Sequence, residues 1–175
     1  LFMFQSNEKV CAFCDKRIAK VNRSKEHIFP KWLIRFLNIQ KDKIEPTHFS
    51  ASGIRISTRQ HTIDGLIYGS VCDACNNGWM SQLEQLAIPI LKPLILGKRR
   101  TFELNDYEKA NVCRWTAKTA YSLNLSSNYL RNVPFEHFKH IKSNDKSLPT
   151  GVACFCQQHH SKNSFYWIQS SSWII

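Results

Sequence analysis

The chain has 175 residues, and 24 Lys and Arg against 13 Asp and Glu give a formal net charge of +11 at pH 7. A chain of this length buries roughly 70% of its unfolded surface, so a core is attainable without disulfides. The most apolar stretch, residues 83–96, contains charges and prolines and falls short of the roughly 20 residues of a membrane span. We therefore expect no transmembrane helix in this sequence and no membrane as partner.

The seven cysteines favour a reduced protein, because their number is odd and four of them form two Cys-x-x-Cys pairs. The first residues, Leu-Phe-Met-Phe-Gln-Ser, lack the pattern of a secretory signal. We therefore expect a cytoplasmic protein.

The positive charge is spread along the chain rather than confined to a tail. A distributed basic excess in a folded protein favours a polyanionic partner, and nucleic acid is the obvious candidate. The alternative is that the charge only keeps the protein soluble.

The first predicted element is a tight turn that carries Cys11 and Cys14. Residues 26–29 follow as the end of a short strand, and Pro30 suits the first position of a helix over 31–38. Apolar residues recur at helical spacing in that segment, so the helix should pack on one face. These residues are Trp32, Leu33, Phe36 and Leu37.

Residues 40–64 are polar and are predicted to form mainly an insertion or binding loop, with a strand at 54–56. Residues 65–71 read as a strand that leads into Cys72 and Cys75. The next segment is a predicted helix, which Pro89 and Pro93 should kink or end. One face of that helix is marked by Met80, Leu83, Ala87 and Ile90.

Residues 97–100 are the predicted boundary between a first unit at 8–96 and an extension at 97–175. In the extension, Asn105 or Asp106 can cap a helix that runs to about Ser122, and Pro134 can start another. The first of these helices should bury a face formed by Ala110, Cys113, Ala117, Ala120 and Tyr121. Segments 151–158 and 164–175 are predicted strands of a β-hairpin, so the overall class is α+β.

The two Cys-x-x-Cys pairs are the strongest local signal in the chain. Cys11, Cys14, Cys72 and Cys75 have the residue type and pairwise spacing of a structural four-thiolate zinc site. Such an ion would join two distant segments and stabilise the fold. The alternative is that one or both pairs are simply buried thiols.

Between the pairs lies Glu26-His27, in which a metal-binding carboxylate stands beside a candidate general base. Adjacent residues on a strand point to opposite faces, so a bend or a strand end is needed to bring both to one centre. Asn76 follows Cys75 on the first turn of a helix, where its oxygen can reach a hard cation. Taken singly, Glu26-His27 is better explained as a surface pair, and Asn76 or Asn77 as an ordinary helix cap.

The order Cys-x-x-Cys, Glu-His-Ile-x-Pro, Cys-x-x-Cys-Asn resembles the zinc-containing HNH endonucleases of the ββα-metal superfamily. Residues 31–33, 77–80 and 83–84 are also similar to one subgroup. Residues 115–120 are a weaker match on the later helix. The resemblance implies a zinc-stabilised ββα-metal core followed by a helical and β-hairpin extension.

The resemblance also implies roles for individual residues. His27 would activate water as the general base, Glu26 and Asn76 would bind one catalytic Mg²⁺ or Mn²⁺, and the four cysteines would bind zinc. The chain departs from the family in having no asparagine just before the second cysteine pair. Asp64 or His61 is the candidate replacement that orients His27.

Two further groups of residues have weaker signals. Arg23, Lys25, Lys31 and Arg35 flank the Glu-His pair and are candidate phosphate contacts, although each such residue is more often a solvated surface charge. Near the end of the sequence, Cys154, Cys156, His159 and His160 suggest a second metal site, for which we prefer the interpretation of buried thiols and an exposed turn.

The sequence thus predicts a divalent-metal-dependent hydrolase that cuts phosphodiester bonds, with DNA as the expected substrate. A homodimer is compatible with this activity, because cutting both strands with one such centre often needs two copies. The alternatives are a non-catalytic zinc-containing nucleic-acid-binding module and a zinc adaptor that binds protein.

Overall fold

The computed structural model describes residues 9–50, 52–126, 133–143 and 146–156. This part of the chain is α+β, as predicted. The helices are α1 (Lys31–Leu37), α2 (Asp73–Cys75), α3 (Ser81–Ile95), α4 (Asp106–Ser126) and α5 (Phe135–Lys142). The strands are β1 (Glu26–His27), β2 (Lys43–Ile44), β3 (Thr47–Phe49), β4 (Arg55–Thr58), β5 (His61–Thr62) and β6 (Ile67–Tyr68). Within the described residues the strands form two-stranded antiparallel sheets, β1 with β6, β2 with β5 and β3 with β4.

The β1–β6 sheet lies next to both cysteine pairs. Glu26 pairs with Tyr68 and His27 with Ile67, so two distant parts of the chain are held in register. The strand predicted at 65–71 is therefore much shorter than expected, because only Ile67–Tyr68 has a partner. The backbone after β6 leads directly into Cys72 and α2.

The helical segment after the second cysteine pair is longer and less regular than predicted. A π-helical turn, Asn76–Met80, joins α2 to α3, and Gly78 in that turn has a non-helical ψ of −112°. Pro89 and Pro93, predicted to kink or end this helix, do not end it, because α3 continues through both to Ile95. Tertiary packing outweighs the lost backbone hydrogen bonds, since Leu83, Ala87 and Ile90 are buried as predicted.

Residues 40–64 are not mainly loop. Two short antiparallel pairs, β2–β5 and β3–β4, organise the segment, and Gly53 turns the chain between β3 and β4 with a φ of +79°. Cross-strand hydrogen bonding between the hydroxyls of Thr47 and Thr58, 3.2 Å apart, supports the second pair. The strand predicted at 54–56 overlaps β4. The other three strands are short and polar and have little hydrophobic alternation, which explains why the sequence pattern did not indicate them.

The buried core extends across the boundary predicted at 97–100. One cluster joins residues of the first cysteine pair and β6 to residues of α4 and α5. Its members include Cys11, Phe13, Ile28, Tyr68, Cys72, Met80, Tyr121, Leu125, Phe138 and Ile141. The two predicted units therefore share apolar packing.

Helix α4 begins as predicted, and its buried surface includes part of the predicted face but extends beyond it. The Asn105 side chain accepts a 2.9 Å hydrogen bond from the Glu108 backbone N–H, and the helix then runs to Ser126. Ala117 and Tyr121 are buried as predicted, but Arg114 and Lys118 are buried with them. Neither charged residue is expected in a core from its type alone.

The β-hairpin predicted near the end of the sequence has no counterpart in the described residues, because 152–156 form no strand. The rest of that hairpin, with His159 and His160, lies outside the described residues. Among the described helices, none has the length and apolar character needed to cross a membrane.

Candidate functional site

Each cysteine pair is formed by a tight local turn. In the first, the backbone N–H of Asp15 donates to the carbonyl of Cys11 at 2.9 Å, and Asp15 adopts a left-handed φ of 60°. In the second, the N–H groups of Cys75 and Asn76 both donate to the carbonyl of Cys72 at 3.1 Å. Both turns bring the two thiols of their pair to one side of the chain.

Backbone hydrogen bonds then bring the two turns together. The N–H of Ala12 donates to the carbonyl of Ser70 at 2.9 Å, which attaches the first turn to the segment before Cys72. The Sγ atoms of Cys11, Cys14, Cys72 and Cys75 all lie within 4.8 Å of one another. The sulfurs of Cys14 and Cys72 are 3.6 Å apart. Zn–S bonds of about 2.3 Å in a tetrahedron imply S–S distances of about 3.8 Å, so the four thiols can hold a metal ion.

Hydrogen bonding between the thiols distributes their protons unequally. The pKa of Cys11 is lowered to about 4, chiefly because the Cys75 thiol hydrogen-bonds to its thiolate. The same contact raises the pKa of Cys75, and burial adds to the increase. Because metal ligands must be thiolates, ion binding here would release protons, and its affinity should fall at acidic pH.

Two adjoining cavities lie beside the cysteine cluster. Their volumes are about 150 and 260 Å³, and Glu26, Asn76 and Glu84 line both. The larger cavity is also lined by Lys25, His27, Pro30 and Lys31. The three residues that the sequence singled out, Glu26, His27 and Asn76, are therefore brought to one cavity.

His27 lies at the end of β1, and its side chain is 19% exposed. Its Nε2 is 3.8 Å from a carboxylate oxygen of Asp64, one of the two candidates for orienting it. Burial is the main cause that lowers the pKa of His27, and nearby Lys31 lowers it further, whereas Asp64 acts in the opposite direction. The neutral imidazole, which can accept a proton, is thus favoured near pH 7.

Asp64 is fixed by a turn of its own. It lies in the 3₁₀ turn Ile63–Gly65, which precedes β6. The Thr62 hydroxyl closes the turn by accepting a 3.2 Å hydrogen bond from the Gly65 N–H. A Cβ on Gly65 would stand 2.8 Å from that hydroxyl, so the close contact requires glycine.

Glu26 does not lie free at the cavity wall. Its Oε1 is 3.0 Å from the Nζ of Lys118, and the same ammonium is 3.0 Å from Oε1 of Glu84. Sequence reasoning assigned no role to Lys118 or Glu84 individually, although both fall within the segments that resemble the nuclease subgroup. The sequence did contain one signal for Lys118, because this residue lies beside Ala117 and Tyr121, which belong to the predicted apolar face of α4.

Burial raises the pKa of Glu84, and its neighbour Glu26 adds to the increase, whereas Lys118 lowers it. The Lys118 ammonium therefore contacts and attracts both carboxylates, whereas the two carboxylates repel each other. Each carboxylate uses Oε1 for this contact, which leaves Oε2 of each available as a ligand. Carboxylate and amide oxygens suit a hard divalent cation.

The alternative interpretation required Asn76 to be a helix cap, but its side chain bonds elsewhere. Its Nδ2 donates to the hydroxyl of Ser24, a buried residue just before β1. Because the amide is planar, its Oδ1 is directed away from Ser24. Asn77 also bonds within the segment, since its Nδ2 donates to Asp73 at 2.6 Å.

The four predicted phosphate contacts are all exposed but are not equivalent. Lys25 and Lys31 line the larger cavity. The Arg23 guanidinium lies against Gly69, where a Cβ would approach it to 2.7 Å. Arg35 is exposed on α1 and lines neither cavity.

The second metal site suggested by Cys154 and Cys156 is not assembled in the described residues. Cys156 is exposed and Cys154 is only partly buried, so the preferred interpretation of buried thiols is also inexact. His159 and His160, the other predicted ligands, lie outside the described residues.

Comparison of the chain with family models, with curated proteins and with solved structures found no match.

Proposed function

We propose that this chain is a divalent-metal-dependent endonuclease of the HNH type, with His27 as its general base and DNA as its substrate. The observation that carries the proposal is the cavity of about 260 Å³ lined by Glu26, His27 and Asn76. Asn76 lies far in sequence from the Glu26-His27 pair, and the three residues have the chemistry expected of a base and two oxygen ligands. Their convergence beside a four-cysteine cluster supports a catalytic site over three unrelated surface residues.

His27 supplies the proton-transfer chemistry. A neutral imidazole in reach of a water molecule accepts a proton as that water attacks phosphorus. The Asp64 carboxylate, 3.8 Å from Nε2, orients the ring and stabilises the imidazolium that forms. Asp64 would thus orient His27, the role that the resemblance gives to an asparagine just before the second cysteine pair, where this chain has none.

Glu26, Glu84 and Asn76 have oxygens that would hold Mg²⁺ or Mn²⁺. When bound, such an ion stabilises negative charge on the phosphate and on the departing oxygen. The protein's own contribution is to place these oxygens next to His27. The Ser24 hydroxyl assists by fixing the Asn76 amide.

The four cysteines would hold zinc in a structural role. All four Sγ atoms lie within 4.8 Å of one another, and four thiolate ligands on one ion would leave no position for substrate. Zinc there would fix Asn76, which directly follows Cys75, relative to β1.

DNA is the proposed substrate because the rim of the cavity is basic. Exposed Lys25 and Lys31 line it, and the whole chain has a formal charge of +11. Contacts with phosphates release condensed counterions, so binding should weaken steeply as salt is raised.

The testing experiment incubates zinc-loaded protein with supercoiled plasmid, linear duplex, single-stranded DNA and RNA, each with Mg²⁺, Mn²⁺ or EDTA. We expect nicking of DNA in the presence of Mg²⁺ or Mn²⁺ and none in EDTA. Cleavage that persists in EDTA would contradict the metal requirement. Preferential cleavage of RNA would agree with the proposed hydrolysis of phosphodiester bonds but contradict DNA as the substrate.

One observation favours a second candidate, a non-catalytic nucleic-acid-binding module. The ammonium of Lys118 already neutralises part of the charge of Glu26 and Glu84, as a bound cation would. This candidate requires salt-dependent DNA binding that is unchanged by EDTA, with no nicking on long incubation.

A further inference from the structure

The most unusual charged group in the described residues is Lys118 of α4. Its side chain is 0% exposed, and its Nζ makes two 3.0 Å ion pairs, one with Glu26 and one with Glu84. A buried ammonium without partners would be strongly destabilising, so these contacts fix where both carboxylates lie. Three segments far apart in sequence are joined at this point.

Lys118 lies behind the cavity wall rather than in the cavity. Glu26 and Glu84 line both cavities, whereas Lys118 lines neither. With no solvent exposure, it has no direct access to a phosphate or to water. Any effect of Lys118 on chemistry must therefore act through the two carboxylates.

The charges of this group have opposite consequences for a metal ion and for a phosphate. Two carboxylates and one ammonium sum to a formal charge of −1. With a divalent ion bound the sum becomes +1, which attracts a phosphodiester of charge −1. Without the ammonium the carboxylates would attract the ion more strongly, but the loaded site would be neutral and would attract phosphate less.

We propose that Lys118 is a positioning residue that holds Glu26 and Glu84 in place and tunes the charge of the site, weakening ion binding while strengthening phosphate binding. This inference rests on the proposed function. It makes the extension part of the site, because α4 supplies the residue that sets its charge. Lys118 acts as an internal counter-ion and not as a catalytic residue.

The test compares wild type with Lys118→Met in the full zinc-loaded chain. Free Mn²⁺ is measured by electron paramagnetic resonance without DNA, and cleavage kinetics are measured at saturating Mn²⁺. Lys118→Met should bind Mn²⁺ about tenfold more tightly or better, because a repelling charge near the ion is removed. Its KM for plasmid should rise by about tenfold or more. A purely structural lysine would instead weaken ion binding and cleavage together.

Controls separate charge from packing. Arg114→Met removes another buried cation of α4, whose Nε donates to the Ile141 carbonyl at 2.8 Å, and should leave the Mn²⁺ affinity within about threefold of wild type. Lys118→Arg keeps the charge and should also stay within about threefold. Lys118→Met combined with Glu84→Gln restores the charge balance and should bind Mn²⁺ more weakly than Lys118→Met alone.

Glu84→Gln keeps the test decisive if Lys118→Met does not fold. It leaves Lys118 paired with Glu26, removes one negative charge, and should weaken Mn²⁺ binding by about tenfold or more. Unchanged Mn²⁺ affinity in both single variants would overturn the inference while leaving the nuclease proposal intact. A wild-type chain that neither binds Mn²⁺ beyond the cysteine cluster nor cuts DNA would instead refute the proposed function itself.

Discussion

At the scale of single residues, the site depends on where a strand stops. Glu26 and His27 are neighbours, and a longer strand would direct them to opposite faces. Strand β1 contains only these two residues, and the chain bends after them. As a result, both side chains line the same cavity.

The role of His27 can be separated from folding by substitution. His27→Ala should lower DNA cleavage by roughly 10²–10⁴-fold, the usual contribution of a general base. Zinc content and far-UV circular dichroism should not change, because the side chain is partly exposed and lines the cavity. His140→Ala is the matched control, since His140 lies on α5 and lines neither cavity. Loss of helicity in His27→Ala would show that the histidine is structural.

Substitution in the cysteine cluster should damage the fold before the activity, the reverse of what is expected for His27. Cys72→Ser should lose bound zinc and helical signal first, with activity lost as a consequence, because Cys72 is buried in the main core beside Val71. Metal analysis and circular dichroism measure this directly. Cys113→Ser serves as the control, since Cys113 lies outside the cluster. A folded Cys72→Ser protein with full zinc content would contradict the assignment of the ligands.

At the scale of elements, α4 is the helix that connects the extension to the site. Its start is fixed by Asn105 and Glu108, which bond to each other's backbone N–H groups. Arg99 adds two contacts to the Glu108 carboxylate, at 2.6 and 2.7 Å. This cap fixes the start of the helix and so the position from which Lys118, further along it, reaches Glu26.

The cap should make stability depend on pH. The Arg99 guanidinium is the main cause that lowers the pKa of Glu108. A carboxyl with a lowered folded pKa contributes stability above its unfolded pKa and loses it as pH falls through the folded value. Glu108→Gln should therefore melt at a lower temperature than wild type at pH 7, and the difference should disappear in strong acid.

Thermal melts at a series of pH values check this prediction. Glu136→Gln is a suitable control, because Glu136 lies in the first turn of α5 and is largely exposed, 3.9 Å from Lys139. A difference between Glu108→Gln and wild type that did not change with pH would argue that packing, not charge, accounts for the effect.

At the scale of the whole molecule, the extension completes the core instead of standing apart from it. Tyr121, Leu125, Phe138 and Ile141 belong to the same buried cluster as Cys11 and Cys72. Without the extension, apolar surface around the cysteines would face water, and Glu26 and Glu84 would lose the ammonium of Lys118 as their partner.

A fragment that ends at Leu96 should therefore fold poorly and retain little zinc, whereas a chain that ends at Cys156 should unfold cooperatively. Chemical denaturation followed by circular dichroism, together with metal analysis, distinguishes the two. Cooperative unfolding of the short fragment with full zinc content would instead support a separate domain with a boundary at 97–100.

The sequence by itself determined the cysteine pairs, the buried face of α3, and the candidacy of Glu26, His27 and Asn76. These signals are local, because they depend on spacing and periodicity within a few turns of chain. Within 40–64 the sequence indicated only the strand at 54–56, which overlaps β4, because the other strands are polar and lack a hydrophobic pattern. It also did not indicate the continuation of α3 through two prolines.

Only the tertiary structure decided which cation meets Glu26. Lys118 is 92 residues away in sequence, and nothing in the spacing of either residue specifies the other. A buried ion pair forms because packing brings α4 against β6 and α3, after which desolvation makes each charge require a partner. Contacts of this kind are set by the whole core, so a local pattern cannot predict them.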